Sequence, residues 1–217
     1  MKKYVAFFDL DLTLISGISG KILMQQAYKN KILSTGNILQ GIVFSFLHKF
    51  SLMNPDRIMD KMVSNLKGIP EAKIKELINK IFDSFFVNIL REKAINEIKQ
   101  HINNNGKTVI LSASLPYICD PLKKILKMDD VVCSSLEVEN GLLTGNPNGI
   151  FCYGKEKYLR AIQYCEENNF SFTDAYFYSD SISDLPLLQV VGNPMCVCPD
   201  DGLRQIANKS GWTICDW

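Results

Sequence analysis

The chain has 217 residues, 47% of them hydrophobic, which is enough to bury a core in one large domain or in a core with an insert. Its 24 Lys and Arg against 23 Asp and Glu give a net charge of +1, so no bulk charge favours nucleic acid or an anionic membrane. The apolar run that begins the chain is interrupted by Asp9 and Asp11 and is too short for a signal peptide. We therefore expect a cytoplasmic protein.

The first predicted element is a buried parallel strand over residues 3–8, because this short apolar run ends in acidic residues. Helical periodicity without a strand signal then follows as far as residue 89. Asn54-Pro55 and Pro70-Glu71 are typical helix starts. This block predicts an inserted helical bundle with helices near 21–31, 37–53, 55–67 and 70–87.

From Arg91 onward, predicted strands and helices alternate. Predicted helices cover 92–104, 115–126, 155–168 and 183–191, and predicted strands cover 108–111, 131–136, 175–178 and, as the last strand, 195–198. The pair Asn140-Gly141 predicts the turn of a small hairpin. Such alternation predicts an α/β fold with a Rossmann-like parallel sheet. The expected domains are a core of 1–14 and 90–217 and a helical cap of 15–89.

Three predicted strands end in polar residues, namely Asp9 with Asp11, Ser112 and Asp180. Ligands of open α/β sheets bind beyond the carboxyl ends of the strands, so these side chains should meet in one acidic pocket. Lys157, near the start of a predicted helix, can reach the same edge.

Phosphoryl transfer explains the acidic residues of this pocket. Mg²⁺ prefers hard oxygen ligands and keeps several waters, so Asp9 and Asp180 can suffice as its carboxylate ligands. A carboxylate such as Asp9 can also serve as a nucleophile and split hydrolysis into two easier steps. Asp11 can protonate the leaving oxygen and then activate water, while its backbone carbonyl faces the metal and Thr13 orients its side chain.

The remaining polar groups suit the phosphate. Ser112, Thr13 and the backbone N–H groups of Leu10 and Ala113 can donate hydrogen bonds to phosphate oxygens. Lys157 can neutralise the charge that develops on the transferring group.

Four segments along the chain contain these polar residues in order, namely Asp9-Leu10-Asp11-Leu12-Thr13, Leu111-Ser112-Ala113-Ser114, Gly154-Lys155-Glu156-Lys157 and Tyr178-Ser179-Asp180-Ser181-Ile182-Ser183-Asp184-Leu185-Pro186. Together they resemble the four motifs of the haloacid dehalogenase superfamily. The closer resemblance is to its phosphoserine-phosphatase-like subfamily, which includes phosphatases of phosphatidylglycerophosphate and histidinol phosphate and has a helical cap after the first motif.

The resemblance implies a role for each matching position. Asp9 would be the nucleophile and a Mg²⁺ ligand, and Asp11 the general acid/base and a ligand through its carbonyl. Asp180 would be a metal ligand that Asp184 supports. Lys157 lies 23 residues before Asp180, which suits the family spacing, and Lys155 is the alternative motif lysine. The resemblance implies hydrolysis of a small-molecule phosphate ester, and a phosphotransferase or phosphomutase is an alternative that uses the same aspartyl phosphate.

The amino-acid clamps of phosphoserine phosphatases are missing at the matching positions. Ile18 stands where the family pattern has a Glu for the substrate ammonium, and Met62 where it has an Arg for the carboxylate. Ala113-Ser114 replaces the usual glycines after the second motif. We therefore expect poor activity on phosphoserine and a substrate with a substantial apolar or neutral portion.

The cap sequence contains an apolar segment over residues 38–47. It either packs inside the cap, as amphipathic helices do, or lines the substrate entrance or touches a membrane. The second alternative corresponds to a lipid-phosphate phosphatase, and we favour the first.

Overall fold

The computed structural model of the chain describes residues 3–33, 61 and 63–217. The predicted helices over 37–53 and 55–67, the apolar segment 38–47 and Met62 lie wholly or largely outside this part of the chain. Within the described residues, no helix combines the length and the apolarity that crossing a bilayer requires.

Six described strands form one parallel sheet in the order β3-β2-β1-β6-β7-β8, as the sequence predicts for an α/β fold. The strands are β1 (Val5–Phe8), β2 (Lys107–Ser112), β3 (Asp130–Cys133), β6 (Tyr176–Ser179), β7 (Asn193–Val197) and β8 (Thr213–Cys215). β1 is central and all four of its residues are buried, which is why it reads as an uninterrupted apolar run.

Helices cover the sheet, and helices also lie in the described parts of the region between β1 and β2. They are α1 (Ser19–Lys29), α2 (Glu71–Phe85), α3 (Glu92–Asn103), α4 (Pro116–Leu126), α5 (Lys155–Glu167), α6 (Leu185–Leu188) and α7 (Asp201–Ser210), with 3₁₀ turns at Val87–Ile89, Phe172–Asp174 and Ile182–Asp184. One core cluster joins α1 and α2 to one face of the sheet, and a second lies on the opposite face under α5 and α7.

Two predicted elements have different bounds in the structure. The predicted strand 131–136 is β3 followed by a separate strand, because Ser134 N–H donates to the Ser114 carbonyl at 3.2 Å instead of continuing the ladder. That separate strand, β4 (Leu136–Glu139), pairs with β5 (Leu142–Pro147) in the predicted hairpin. Its turn residues Asn140 and Gly141 have φ of 50° and 78°, the left-handed pair that a tight hairpin requires. The predicted helix 183–191 is a 3₁₀ turn followed by the short α6.

The prediction that 195–198 is the last strand is wrong. β7 is followed by α7 and by the edge strand β8. β8 has three residues, none of them fully buried, so it lacks the apolar run that marked the other strands. The start of α7 has a sequence signal, since the Asp200 carboxylate accepts the Leu203 N–H at 2.8 Å as an N-cap.

The chain enters and leaves the α1–α2 region through two adjacent segments. Ser16 N–H donates to the Ile89 carbonyl and Arg91 N–H to the Leu14 carbonyl, both at 2.9 Å. The same region meets the β4–β5 hairpin, where Gly68 N–H donates to the Leu143 carbonyl at 2.8 Å. These contacts place α1 and α2 beyond the carboxyl ends of β1 and β2.

Candidate active site

The predicted acidic residues meet at the carboxyl edge of the sheet. Asp9 directly follows β1 and Asp180 directly follows β6, and these two strands are hydrogen-bonded neighbours. Ser112 ends β2, which pairs with β1 on its other side. Asp9 and Asp180 are 7% and 9% exposed, so both carboxylates lie in a largely buried pocket.

Lys157 brings the positive charge of the pocket. Its Nζ donates to Asp9 Oδ1 at 2.9 Å and to Asp184 Oδ2 at 2.7 Å, and its side chain is nearly fully buried. Gly154, with a φ of 53°, is the N-cap of α5, and Lys157 lies in the first turn of the helix. Lys155 is exposed, so of the two candidate motif lysines it is Lys157 that the fold places in the pocket.

Asp184 is held by two donors on one of its oxygens. Besides Lys157, the Ser179 hydroxyl donates to Oδ2 at 2.6 Å. The other oxygen, Oδ1, is buried and has no hydrogen-bond partner in the described part of the chain. Buried carboxylate oxygens are normally bonded, so this oxygen is available to a ligand or to a water.

Asp11 lies where β1 meets the first helix of the cap region. Its Oδ1 accepts the backbone N–H of Ser19 at 2.9 Å, in the first turn of α1. The positive end of the helix dipole therefore faces this carboxylate. The expected orientation of Asp11 by Thr13 is not seen, because the buried Thr13 hydroxyl has no hydrogen-bond partner among the described residues.

The predicted phosphate-binding groups follow the ends of β1 and β2. The Ser112 hydroxyl accepts the Ser114 N–H at 3.1 Å, which leaves its own proton for another acceptor. The Ser114 and Ser19 hydroxyls are hydrogen-bonded at 2.9 Å, so this loop is joined to α1. Leu10 is fully buried in the turn after β1, and Ala113 is half-buried between Ser112 and Ser114.

The pocket holds more negative than positive charge. Burial raises the pKa of Asp9 to about 8; Lys157 opposes this rise, and Asp184, Asp180 and Asp11 add to it. Burial and the Asp184 carboxylate likewise raise the pKa of Asp180 to about 7. Burial lowers the pKa of Lys157, but the Asp184 and Asp9 carboxylates outweigh this and keep the lysine charged. A single lysine does not compensate four neighbouring carboxylates.

Asp11 has a raised pKa for a related reason. Burial is the main cause, and the hydrogen bonds from the Ser19 backbone and hydroxyl oppose it. A carboxyl whose pKa is above its ordinary value is better suited to donating a proton near neutral pH.

The donor set fits a magnesium ion. The excess of carboxylates and the unpartnered Asp184 Oδ1 both call for a compact cation. No group of three or more His, Cys, Asp or Glu side chains in the described ranges is arranged to hold a metal by itself. The predicted site needs only the Asp9 and Asp180 side chains with the Asp11 carbonyl, because Mg²⁺ retains several waters.

Three serines of the site were not predicted as functional residues, namely Ser19, Ser114 and Ser179. Ser179 precedes Asp180 by one residue and has the signal of a strand end, but nothing in the spacing shows that it bonds Asp184. Ser19 follows Gly17 in the loosely patterned segment after the first motif. A helix predicted to start at 19 rather than 21 would have placed its N–H groups beside Asp11.

A family profile described as haloacid dehalogenase-like hydrolase matches residues 6–189. Two curated relatives match almost the whole chain. A probable phosphatase of Mycobacterium tuberculosis is 29% identical over 96% of this chain and 74% of its own length. A histidinol-phosphatase of Neisseria meningitidis is 25% identical over 98% of both chains.

Solved structures have the same fold. A protein of unknown function from Bordetella pertussis superposes with a TM-score of 0.91 at 20% identity, covering 100% of this chain and 99% of the other. A substrate-bound phosphoserine phosphatase complex superposes with a TM-score of 0.76 at 19% identity, covering 100% and 94%. At these identities the likeness concerns the fold alone.

Proposed function

Because the chain belongs to the haloacid dehalogenase-like hydrolase family, with relatives named as phosphatases, we propose that it is a phosphoric monoester hydrolase that forms an aspartyl phosphate on Asp9. One observation carries this proposal. The Lys157 ammonium lies 2.9 Å from Asp9 Oδ1, in a buried pocket that also contains Asp11, a candidate acid. A nucleophile, an acid and a fixed positive charge are the groups that phosphoryl transfer through an enzyme carboxylate requires.

In the first step, an Asp9 oxygen attacks the phosphorus of the ester and the bond to the alcohol oxygen breaks. Asp11 donates its proton to that leaving oxygen, which departs as the alcohol. Burial raises the pKa of Asp11, which favours the protonated form that donates this proton. The Ser112 hydroxyl, the Leu10 and Ala113 N–H groups and Lys157 bind the phosphoryl oxygens.

In the second step, Asp11 is ionised and removes a proton from water, which attacks the phosphorus of the aspartyl phosphate. The phosphorus–oxygen bond to Asp9 breaks, and inorganic phosphate leaves. Asp9 and Asp11 return to their starting states, so one phosphate is released for each ester and each water consumed.

We infer that Asp9 and Asp180, with the Asp11 carbonyl, hold Mg²⁺ and that Asp184 supports the ion. When bound, the ion supplies positive charge that neutralises the phosphate dianion. The carboxylates suit this role, because burial, together with the neighbouring carboxylates, raises the pKa of Asp9 and Asp180, and a cation in the pocket would stabilise their charged forms. Asp184 then serves two groups, since Oδ2 is bonded to Lys157 while Oδ1 is free for the metal site.

The proposal divides the chain into a catalytic core of 1–14 and 90–217 and a cap of 15–89. The hydrogen bonds from Ser16 to Ile89 and from Arg91 to Leu14 support it, because the two connections lie side by side like a hinge. The substrate is a small phosphate ester, which enters between the core and α1.

The test is hydrolysis of p-nitrophenyl phosphate by the purified chain with Mg²⁺ and with excess EDTA. We expect turnover with Mg²⁺, loss of turnover with EDTA and recovery when Mg²⁺ is restored. Metal-independent turnover at the same rate would refute the metal assignment. Release of inorganic phosphate is measured beside that of the phenol, in the presence and absence of glycerol. A shortfall of phosphate with glycerol would favour a phosphotransferase.

A further inference from the structure

A cavity of about 260 Å³ lies beneath α1 and reaches the candidate active site. Asp11, Ala113 and Ser114 line the end at which we expect the phosphate. From there, the cavity extends between α1, α2 and the core. Much of its wall is apolar and includes the side chains of Ile18, Leu23, Met24, Ala27, Ile74 and Phe151.

The described residues that line the cavity offer no second charged group to a substrate. Asp11 is the one charged side chain among the described residues that line it. The Asp11 carboxylate is already occupied by the Ser19 N–H and by its proposed role as acid and base. The Ser19 and Ser114 hydroxyls, which also line the cavity, are bonded to each other at 2.9 Å.

The position of the cavity beside Asp11 indicates which part of the substrate enters it, namely the alcohol portion of the ester. An ester bound with its phosphate between Asp9, Ser112 and Lys157 directs its alcohol portion past Asp11, since Asp11 protonates the oxygen that joins the two. Asp11 is one of the residues that line the cavity. The organic part of the substrate therefore leaves the polar edge of the sheet and meets Leu23, Ala27 and Phe151.

Resting on the phosphatase function proposed above, we propose that this cavity binds the organic part of the substrate and selects an uncharged aliphatic or aromatic alcohol. Each methylene that moves from water into the cavity contributes about 0.8 kcal/mol, which corresponds to about fourfold in kcat/KM. Among the described residues that line the cavity, a carboxylate meets no positive charge and an ammonium meets only Asp11, so either group loses its hydration with little compensation. Phosphoserine carries both of these charges.

An uncharged organic group attached to phosphate occurs both in soluble phosphate esters and in membrane lipid phosphates. We assign the soluble ester, because the cavity has the size of a short chain or a single ring rather than of two acyl chains.

The experiment measures kcat/KM with Mg²⁺ for ethyl, butyl and hexyl phosphate, phosphoserine and phosphoethanolamine. The three alkanols are similarly poor leaving groups, so differences among their esters report binding of the chain. We expect a rise of about fourfold per methylene until the cavity is filled. The two charged esters should fall at or below ethyl phosphate. An equal kcat/KM for the three alkyl esters, or phosphoserine as the best substrate, overturns the assignment.

Variants of α1 locate the effect. Met24 lines the cavity at a half-buried position, so Met24→Glu introduces a carboxylate there with little risk to folding. We expect it to reduce the dependence of kcat/KM on chain length from about fourfold per methylene to twofold or less. Tyr28→Glu is the matched control, because Tyr28 is 42% exposed on the same helix and does not line the cavity. An unchanged chain-length dependence in Met24→Glu contradicts the proposal.

A second variant keeps the test decisive if Met24→Glu does not fold. Ala27 is buried and lines the cavity, so Ala27→Leu fills part of it with apolar atoms. We expect the optimal chain length to become shorter, with hexyl phosphate losing about tenfold relative to ethyl phosphate. An unchanged optimum in a folded Ala27→Leu variant overturns the location of the binding cavity.

The outcomes separate this inference from the proposed function. If p-nitrophenyl phosphate is hydrolysed and the three alkyl esters have the same kcat/KM, the cavity assignment is overturned and the phosphatase function stays in place. Absence of any Mg²⁺-dependent hydrolysis overturns both. Phosphatidic acid in phosphatidylcholine vesicles is the membrane arm. We expect it to be hydrolysed more slowly than hexyl phosphate, and faster hydrolysis overturns the soluble source.

Discussion

The carboxyl edge of the sheet and the cavity beneath α1 meet at Asp11, yet they differ in charge and in the polarity of the side chains that form them. The edge holds buried carboxylates around Lys157, and hydrogen bonds of 2.6 to 2.9 Å join Lys157 to Asp9 and Asp184, and Ser179 to Asp184. The cavity is bounded mainly by apolar side chains. The edge accordingly suits one reaction, whereas the cavity suits the choice of the alcohol that the reaction releases.

The two regions also differ in how they are built. The acidic groups of the edge follow β1 and β6 directly, so strand pairing alone brings Asp9 and Asp180 together. The cavity wall combines several residues of α1 with Ile74 of α2 and with residues of the core. Substitutions in the edge should therefore alter the rate for all esters, and substitutions in the cavity should alter the ratio between esters.

The largest effect should come from Asp9→Asn. An amide is a poor nucleophile and a poor metal ligand, so we expect loss of detectable turnover for every ester in steady-state assays. Asp83→Asn makes the same chemical change at an exposed position of α2 and should leave kcat unchanged. Turnover of Asp9→Asn near the wild-type rate would contradict the nucleophile assignment.

Asp11→Asn should be the next most severe. Loss of general acid/base catalysis typically costs about 10²–10⁴-fold. The loss in kcat/KM should be smaller for p-nitrophenyl phosphate than for ethyl phosphate, because p-nitrophenol leaves without a proton. An equal loss for both esters would mean that Asp11 does not protonate the leaving oxygen.

The two lysines of the third motif should differ clearly. Lys157→Met removes a donor aimed at the transferring group, and such losses cost about 10²–10³-fold in kcat. It also leaves Asp9 and Asp184 without their buried partner, which should lower the free energy of unfolding by about 3–5 kcal/mol in urea titrations. Lys155→Met changes an exposed residue and should alter neither quantity. The reverse ranking would assign the role to Lys155.

The smallest effect should come from the contact between the two regions. Ser19→Ala removes the hydrogen bonds of the hydroxyl to Ser114 and to Asp11 but keeps the backbone N–H that Asp11 accepts. A hydrogen bond of this kind is worth about 1 kcal/mol, so kcat/KM should fall about fivefold and equally for ethyl and hexyl phosphate. A change in the ratio of the two esters would show that Ser19 belongs functionally to the cavity.

Much of the fold and the placement of the edge residues could be predicted, because both follow from local signals. An apolar run that ends in an acidic residue identifies β1 and Asp9, and the same pattern identifies β6 and Asp180. β8 gave no such signal, since its three residues form a partly exposed edge strand. The bonds of Ser179 to Asp184 and of Ser19 to Ser114 depend on loop geometry that no spacing encodes.

The roles of the site residues and the dependence on magnesium stay predictions, because no observation of the structure tests them. The structure brings Asp9, Asp11, Ser112, Lys157, Asp180 and Asp184 to one edge, which is necessary for those roles. The substrate depends on the cavity, whose residues come from elements far apart in the chain and carry no motif. Ile18 illustrates this, because the charge missing at that position argues against phosphoserine as the substrate without indicating another.

The most direct test of the central claim is to locate the phosphoryl group during turnover. The enzyme is mixed with p-nitrophenyl phosphate and Mg²⁺, quenched rapidly in acid and digested for peptide mass spectrometry. Asp11→Asn serves as the trap, because its aspartyl phosphate should hydrolyse slowly. We predict a phosphoryl group on Asp9 that forms and decays within one turnover. A phosphoryl group on Ser112, or turnover without any phosphorylated residue, would contradict the mechanism.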